Sequence, residues 1–115
     1  LTRAIEAGNI FFARRQFARA ATAYQQAIDL RPNQPSSHHN LAAVFLATGD
    51  TRQARATFQQ AAELGSQIAE TYRALIWLAQ KAGDGDGAQR AYRLAAQHLP
   101  TSAMTALSEY LKANP

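Results

Sequence analysis

An alanine, aromatic, alanine triplet recurs along this chain at a fixed spacing of 34 residues: Ala20, Tyr24, Ala27, then Ala54, Phe58, Ala61, then Ala88, Tyr92, Ala95. A period of that length is one supersecondary unit copied and stacked, each copy burying its apolar face against the next. Fold and function are then properties of the stack, which favours a binding surface over a single catalytic constellation.

The units read as helical hairpins. Between Phe17 and Leu30 the apolar residues Phe17, Ala20, Ala21, Tyr24, Ala27 and Ile28 fall at the spacing of a helix with one buried face, and Pro32 stops it. Gly49-Asp50-Thr51 and Gly83-Asp84 precede the later copies, glycine ending one helix and Asp or Thr capping the next. Each copy has a partner helix before it: Ala4, Ala7, Gly8 and Phe11, then Leu41, Ala42, Val44 and Phe45, then Leu75, Ile76, Leu78 and Ala79. Small residues sit where two helices approach closely, and the aromatics fill what remains. From Ser102 to Ala113, Ala103, Met104, Leu107, Tyr110 and Leu111 trace one more amphipathic helix, expected to cover the last apolar face; Pro115 leaves open whether it begins a fourth hairpin.

The pattern Phe17, Ala20, Tyr24, Ala27, Pro32-Asn33, Leu41, Ala42, Phe45, Gly49-Asp50, Ala54, Phe58, Ala61 resembles the tetratricopeptide repeat. The resemblance implies an all-α, right-handed superhelix of three hairpins, residues 1–34, 35–68 and 69–102, with a capping helix over 102–113. Three departures stand out. Ala4, His38 and Tyr72 occupy the column that often carries tryptophan, Arg15 replaces the turn glycine of the first copy, and Ser66 replaces the proline of the second.

Composition removes several function classes. Of 115 residues 47% are hydrophobic and 17% charged, enough for one continuous core and too few charges for a disordered polyelectrolyte. No apolar run approaches the ~20 residues of a membrane span. Without cysteine there are no disulfides, thiolate metal sites or cysteine nucleophiles. The net charge of +4, densest at Arg14, Arg15 and Arg19, reads as a solvated rim; no basic run interleaved with aromatics points to nucleic acid. The chain opens at Leu1 with no initiator Met or leader and reads as a processed protein or an excised piece of a longer one; its richness in Arg, Ala and Gln suggests a bacterial source, and the lack of an apolar span a soluble compartment, with cytoplasm and periplasm left open.

Candidate chemistry is sparse, and neither an enzyme, a cofactor nor a metal is expected. His38 and His39 are adjacent on a helix, point about 100° apart and do not share a metal ion readily. His38 stands in a packing column. Gly83-Asp84-Gly85-Asp86-Gly87 lacks the terminal Glu of a calcium loop and follows a helix where a dinucleotide loop follows a strand, so it is expected to be a flexible turn that loosens the third hairpin.

In the family resembled, the first helices of the hairpins line a concave wall that binds peptides. Carried onto this sequence, the wall holds Ile5, Asn9, Phe12, His39, Asn40, Leu46, Arg73, Trp77 and Lys81. Ile5, Phe12, Leu46 and Trp77 offer apolar area; Arg73, Lys81 and His39 are available for a carboxylate. Trp77 is open to two readings, burial under the capping helix or exposure to a ligand. Some family members clamp chaperone C-terminal tails with two asparagines and three basic residues. Asn9 and Asn40 match, but Ile5, Glu70 and Ala74 occupy the basic columns, which argues against that ligand. The expected function is capture of a protein or peptide partner, without nucleic acid or membrane insertion; the alternative is a spacer or self-assembly segment of a larger bacterial envelope or polysaccharide-export protein.

Overall fold

The computed structural model describes residues 2–113, so Leu1 and Pro115 lie outside the described residues. Seven α-helices run in order: α1 (Thr2–Ala13), α2 (Phe17–Leu30), α3 (Pro35–Ala47), α4 (Thr51–Glu63), α5 (Ala69–Lys81), α6 (Gly85–His98) and α7 (Thr101–Ala113). Among the described residues there is no strand. Helices pair as α1/α2, α3/α4 and α5/α6; α2 packs on α3 and α4 on α5, while α7 lies against α5 and α6. The chain is an all-α helical-repeat solenoid.

The repeated triplet is buried as a packing code, though unevenly. Ala20, Tyr24, Ala27, Ala54, Phe58, Ala61 and Ala95 are buried, whereas Ala88 and Tyr92 are only half-buried. Among the described residues only α7 lies beyond the third hairpin, and the Tyr92 hydroxyl is held to Ser108 Oγ at 2.5 Å. Leu107 of α7 is buried in the core, with Met104 and Leu111 packed beside it. In the first hairpin Gly8 permits the closest contact, since a Cβ there would stand 2.4 Å from the Tyr24 ring.

Turn chemistry repeats with the same period. In each hairpin the third amide after the first helix bonds back over its last turn: Gln16 N–H to Phe11 C=O, Asp50 N–H to Phe45 C=O and Asp84 N–H to Ala79 C=O. The residue before it takes positive φ, +83° at Gly49 and +72° at Gly83, and +60° at Arg15, where a side chain makes that conformation costly. Asp50 and Asp84 then cap α4 and α6 by accepting from the N–H groups of Gln53 and Gly87, while Gln16 provides no side-chain cap to α2.

The Gly83–Gly87 stretch is therefore not the flexible turn expected from its glycines. Only Gly83 is in the turn; Gly85, Asp86 and Gly87 form the first turn of α6. The Asp84 carboxylate lies over that turn, bonded to the Gly87 N–H and ion-paired with Arg55 of α4. Any Cβ at Gly87 would meet both the Asp84 carboxylate and the Arg55 guanidinium, which gives this glycine a packing reason.

The column that diverges from tryptophan makes polar stitches between units. His38 Nε2 bonds to the Pro32 carbonyl at 2.7 Å, and the buried Tyr72 hydroxyl donates to the Ser66 carbonyl at 2.5 Å. Burial pushes the Tyr72 phenol up to about 12. Ser66, standing in the proline column, is itself buried and accepts from the Ile68 N–H, doing by hydrogen bonding what a proline ring does by rigidity.

Candidate functional site

Several side chains of the expected wall are already engaged within the protein. Asn9 accepts a 2.6 Å hydrogen bond from Tyr24. Phe12 meets Phe17 edge to face at 5.5 Å. Leu46 is half-buried against the core of the second and third hairpins, and Ile5 and Asn40 are half-buried.

His39 is not a free cation awaiting a carboxylate. Its ring packs edge-on against Phe58 at 5.3 Å and its Nδ1 lies 2.7 Å from Thr71 Oγ1 of the next hairpin. Thr71 Oγ1 is 2.9 Å from Ser66 Oγ, so His39, Thr71 and Ser66 form a hydrogen-bonded chain. The proton arrangement that serves every member has Ser66 donating to Thr71 and Thr71 donating to an unprotonated Nδ1. Burial favours that neutral form, drawing the imidazole below its ordinary value, with the Glu70 carboxylate opposing. Ser66 and Thr71 are buried, so the chain offers no hydroxyl to a substrate.

Arg73 is likewise held, 3.4 Å from the Glu70 carboxylate and 5.0 Å over the Tyr110 ring of α7. The capping helix thus touches Arg73 through Tyr110 without burying it and leaves Trp77 open. Trp77 is 42% exposed, with the Lys81 ammonium 5.3 Å from its ring centre. Of the nine wall residues, Trp77 and Lys81 are the pair that stands together at an open surface.

That surface is a cleft of about 950 Å³ between α4 and α5, reaching α6. From α4 it is lined by Thr51, Arg52, Arg55, Ala56 and Gln59, from α5 by Trp77, Leu78 and Lys81, and beyond them by Ala82 and Arg90. Half of this lining comes from α4, the second helix of its hairpin, which attention to first helices alone passes over. The readable signal was Arg52 and Arg55 one turn apart on the polar side of α4. The Asp84 carboxylate at the border is held below the usual carboxylate range by its hydrogen bonds from Arg55 and from the Gly87 N–H. Among the described residues no three His, Cys, Asp or Glu side chains gather where a metal ion could be held, and no helix is long and apolar enough to cross a membrane.

Stacked helical hairpins closed by a seventh helix define a repeat solenoid whose open surfaces are clefts between helices. The family is shown by sequence as well: a model described as a TPR repeat matches residues 8–49, and a second, described as a tetratricopeptide repeat, matches residues 35–65. The chain belongs to the tetratricopeptide-repeat family. No curated protein matches it. Among solved structures it resembles the N-terminal domain of stress-induced protein-1 (STI-1) from C. elegans, at 21% identity and a TM-score of 0.75, covering 94% of this chain and 91% of that one. It is also similar to the first TPR of Spaghetti (RPAP3) bound to an HSP90 peptide, at 17% identity and TM-score 0.73, over 96% of this chain and 92% of that one. A third likeness is to YrrB, described as a TPR protein with an unusual peptide-binding site, at 17% identity and TM-score 0.73, over 83% of this chain. The match spans about half of YrrB, 49% of its length.

Proposed function

We propose that this chain is a non-catalytic interaction module that captures a segment of a partner protein on the helical array, with Trp77 as its anchor. The observation that carries the reading is a tryptophan, 42% exposed beside a lysine, at the edge of an open cleft. Large aromatics in such positions supply much of the binding energy of protein interfaces. Peptide capture by the similarly folded Spaghetti domain supports the reading. Ile5, Phe12, Leu46 and Asn40 extend the wall away from Trp77. His39, Asn9 and Arg73, held by contacts within the chain, act through the shape of that wall more than by free hydrogen-bonding capacity.

Selection of a displayed random-peptide library on the purified chain tests this. A recurring motif should emerge whose binding weakens at least about tenfold in Trp77→Ala with helicity unchanged. No enrichment, or a motif held at full affinity by that variant, overturns the reading.

A spacer or self-assembly segment of a larger protein is supported by an observation at the other end. Leu30 is 63% and Ile10 51% exposed on the first hairpin, and Leu30 borders a shallow depression of about 620 Å³ with Ala4, Ala7 and Gln26. Light scattering should show concentration-dependent association that Leu30→Glu abolishes; a monomer at every concentration rules that reading out.

A further inference from the structure

Four of the chain's 12 lysines and arginines line the α4/α5 cleft: Arg52, Arg55, Lys81 and Arg90. No Asp or Glu lines it. The carboxylate at its border, Asp84, is ion-paired with Arg55 and lies 3.9 Å from Arg90. Among the described residues Arg52 and Lys81 have no carboxylate partner. Like charges brought from three helices around one open space repel, and an anion entering that space relieves the repulsion. The apolar part of the lining is Trp77 with Leu78 and two alanines, so the cleft suits a chain that carries carboxylates beside an apolar side chain.

We propose that the α4/α5 cleft binds an acidic internal segment of a partner protein, its Asp or Glu carboxylates on Arg52, Arg90 and Lys81 and a neighbouring apolar side chain on Trp77. The inference rests on the reading that the array captures a protein segment and supplies that segment's chemistry. Guanidinium forks match carboxylates with two parallel hydrogen bonds, which suits a peptide bearing several of them. A nucleic-acid strand is served less well, because it needs a track of cations with successive stacking platforms. Here the cations are gathered around one aromatic, and the other basic cluster stands at the α1–α2 end, where Arg15 and Arg19 lie over the Phe17 and Phe11 rings. Ile5, Glu70 and Ala74 leave the basic columns of the first-helix wall without a cation, Arg73 on that wall is paired with Glu70, and Lys81 lines the cleft.

Trp77 is the sole tryptophan, and its fluorescence reads the cleft directly. The full chain is titrated with an eight-residue peptide of glutamates and leucines, blocked at both ends, with its glutamine counterpart, and with an oligothymidylate of equal length. The glutamate peptide should give a saturable change, and the glutamine peptide should bind at least about tenfold more weakly. Arg52→Glu combined with Arg90→Glu should lose a similar factor, and the milder pair Arg52→Gln and Lys81→Gln should lose part of it if the charge reversals disturb folding. The same reversal at Arg14 and Arg19 should leave affinity within about twofold. Equal binding of the glutamine peptide, equal loss from the remote pair, or tighter binding of the oligonucleotide overturns the proposal. The library selection separates the two levels: enrichment of neutral or basic sequences removes the acidic segment and leaves capture standing, whereas no enrichment removes both.

Discussion

His39 shows how one side chain can look like a ligand in sequence and act as a joint in the fold. It sits on the wall of first helices, yet its imidazole is spent on Phe58 and Thr71. Its counterpart 34 residues earlier is Ile5, which has no polar atom to offer. The counterpart of Thr71 is Ser37, whose buried hydroxyl finds no partner among the described residues. The His39 joint makes stability depend on pH. The folded-state pKa lies below the unfolded value near 6.5, so the unfolded chain takes up the proton first as pH falls. The contribution is complete above about pH 6.5 and drains away below it, until the folded imidazole itself titrates. Urea midpoints at pH 7.5 and 5.5 should therefore fall further apart in the native chain than in His39→Gln; equal falls would show that the imidazole is not the source. Neither the Thr71 bond nor the Phe58 contact could be read from sequence: the Thr71 bond joins different hairpins and depends on the angle at which units stack, and the Phe58 contact depends on how α3 and α4 pack within their own hairpin.

At the scale of helices and turns, the 34-residue period was legible almost in full, down to the glycine and aspartate that end one helix and begin the next. It was legible because these signals are local: a positive φ and a free N–H group are needed at fixed offsets whatever lies elsewhere in the chain. Gly83–Gly87 went astray for the same reason. Its glycines signal a turn locally, and what makes them helical is the Asp84 cap fastened by Arg55, which lies 29 residues away. The first hairpin keeps the geometry with poorer residues, Arg15 at positive φ and Gln16 without a side-chain cap. Arg15→Gly relieves about 1 kcal/mol of backbone strain, partly offset by the freedom glycine gains when unfolded and by the lost contact with Phe17. Gln16→Asp adds a cap of typically about 1 kcal/mol. The double variant should melt higher by roughly 4 °C. An unchanged or lower midpoint would mean that the turn is not the weak point of that unit.

Across the whole molecule, the family and its stacking were written in the sequence, whereas the α4/α5 cleft was not. A cleft between two helices depends on how far they diverge, which no period encodes; of its lining, the reading of first helices reached Trp77 and Lys81 and passed over Arg52, Arg55 and Arg90. The core itself is divided. One cluster is built around Tyr24, Leu41 and Val44, another around Phe58, Tyr72 and Leu75, and among the described residues Phe45 is the side chain packed against both. In a linear array each unit is stabilised mainly by its neighbours, so the strength of that junction decides whether the units melt together. In the native chain the far-UV signal of all the helices and the fluorescence of Trp77 in the third hairpin should change at one urea concentration. Phe45→Ala removes the shared ring at a cost of about 2 to 3 kcal/mol, below the range for a fully buried phenylalanine. The first hairpin should then come apart at lower urea while Trp77 still reports a folded end, and coincident curves in the variant would refute the division. One half-buried ring thus acts as the coupling between two cooperative blocks, and its strength sets how far a loss of order at one end travels toward the other.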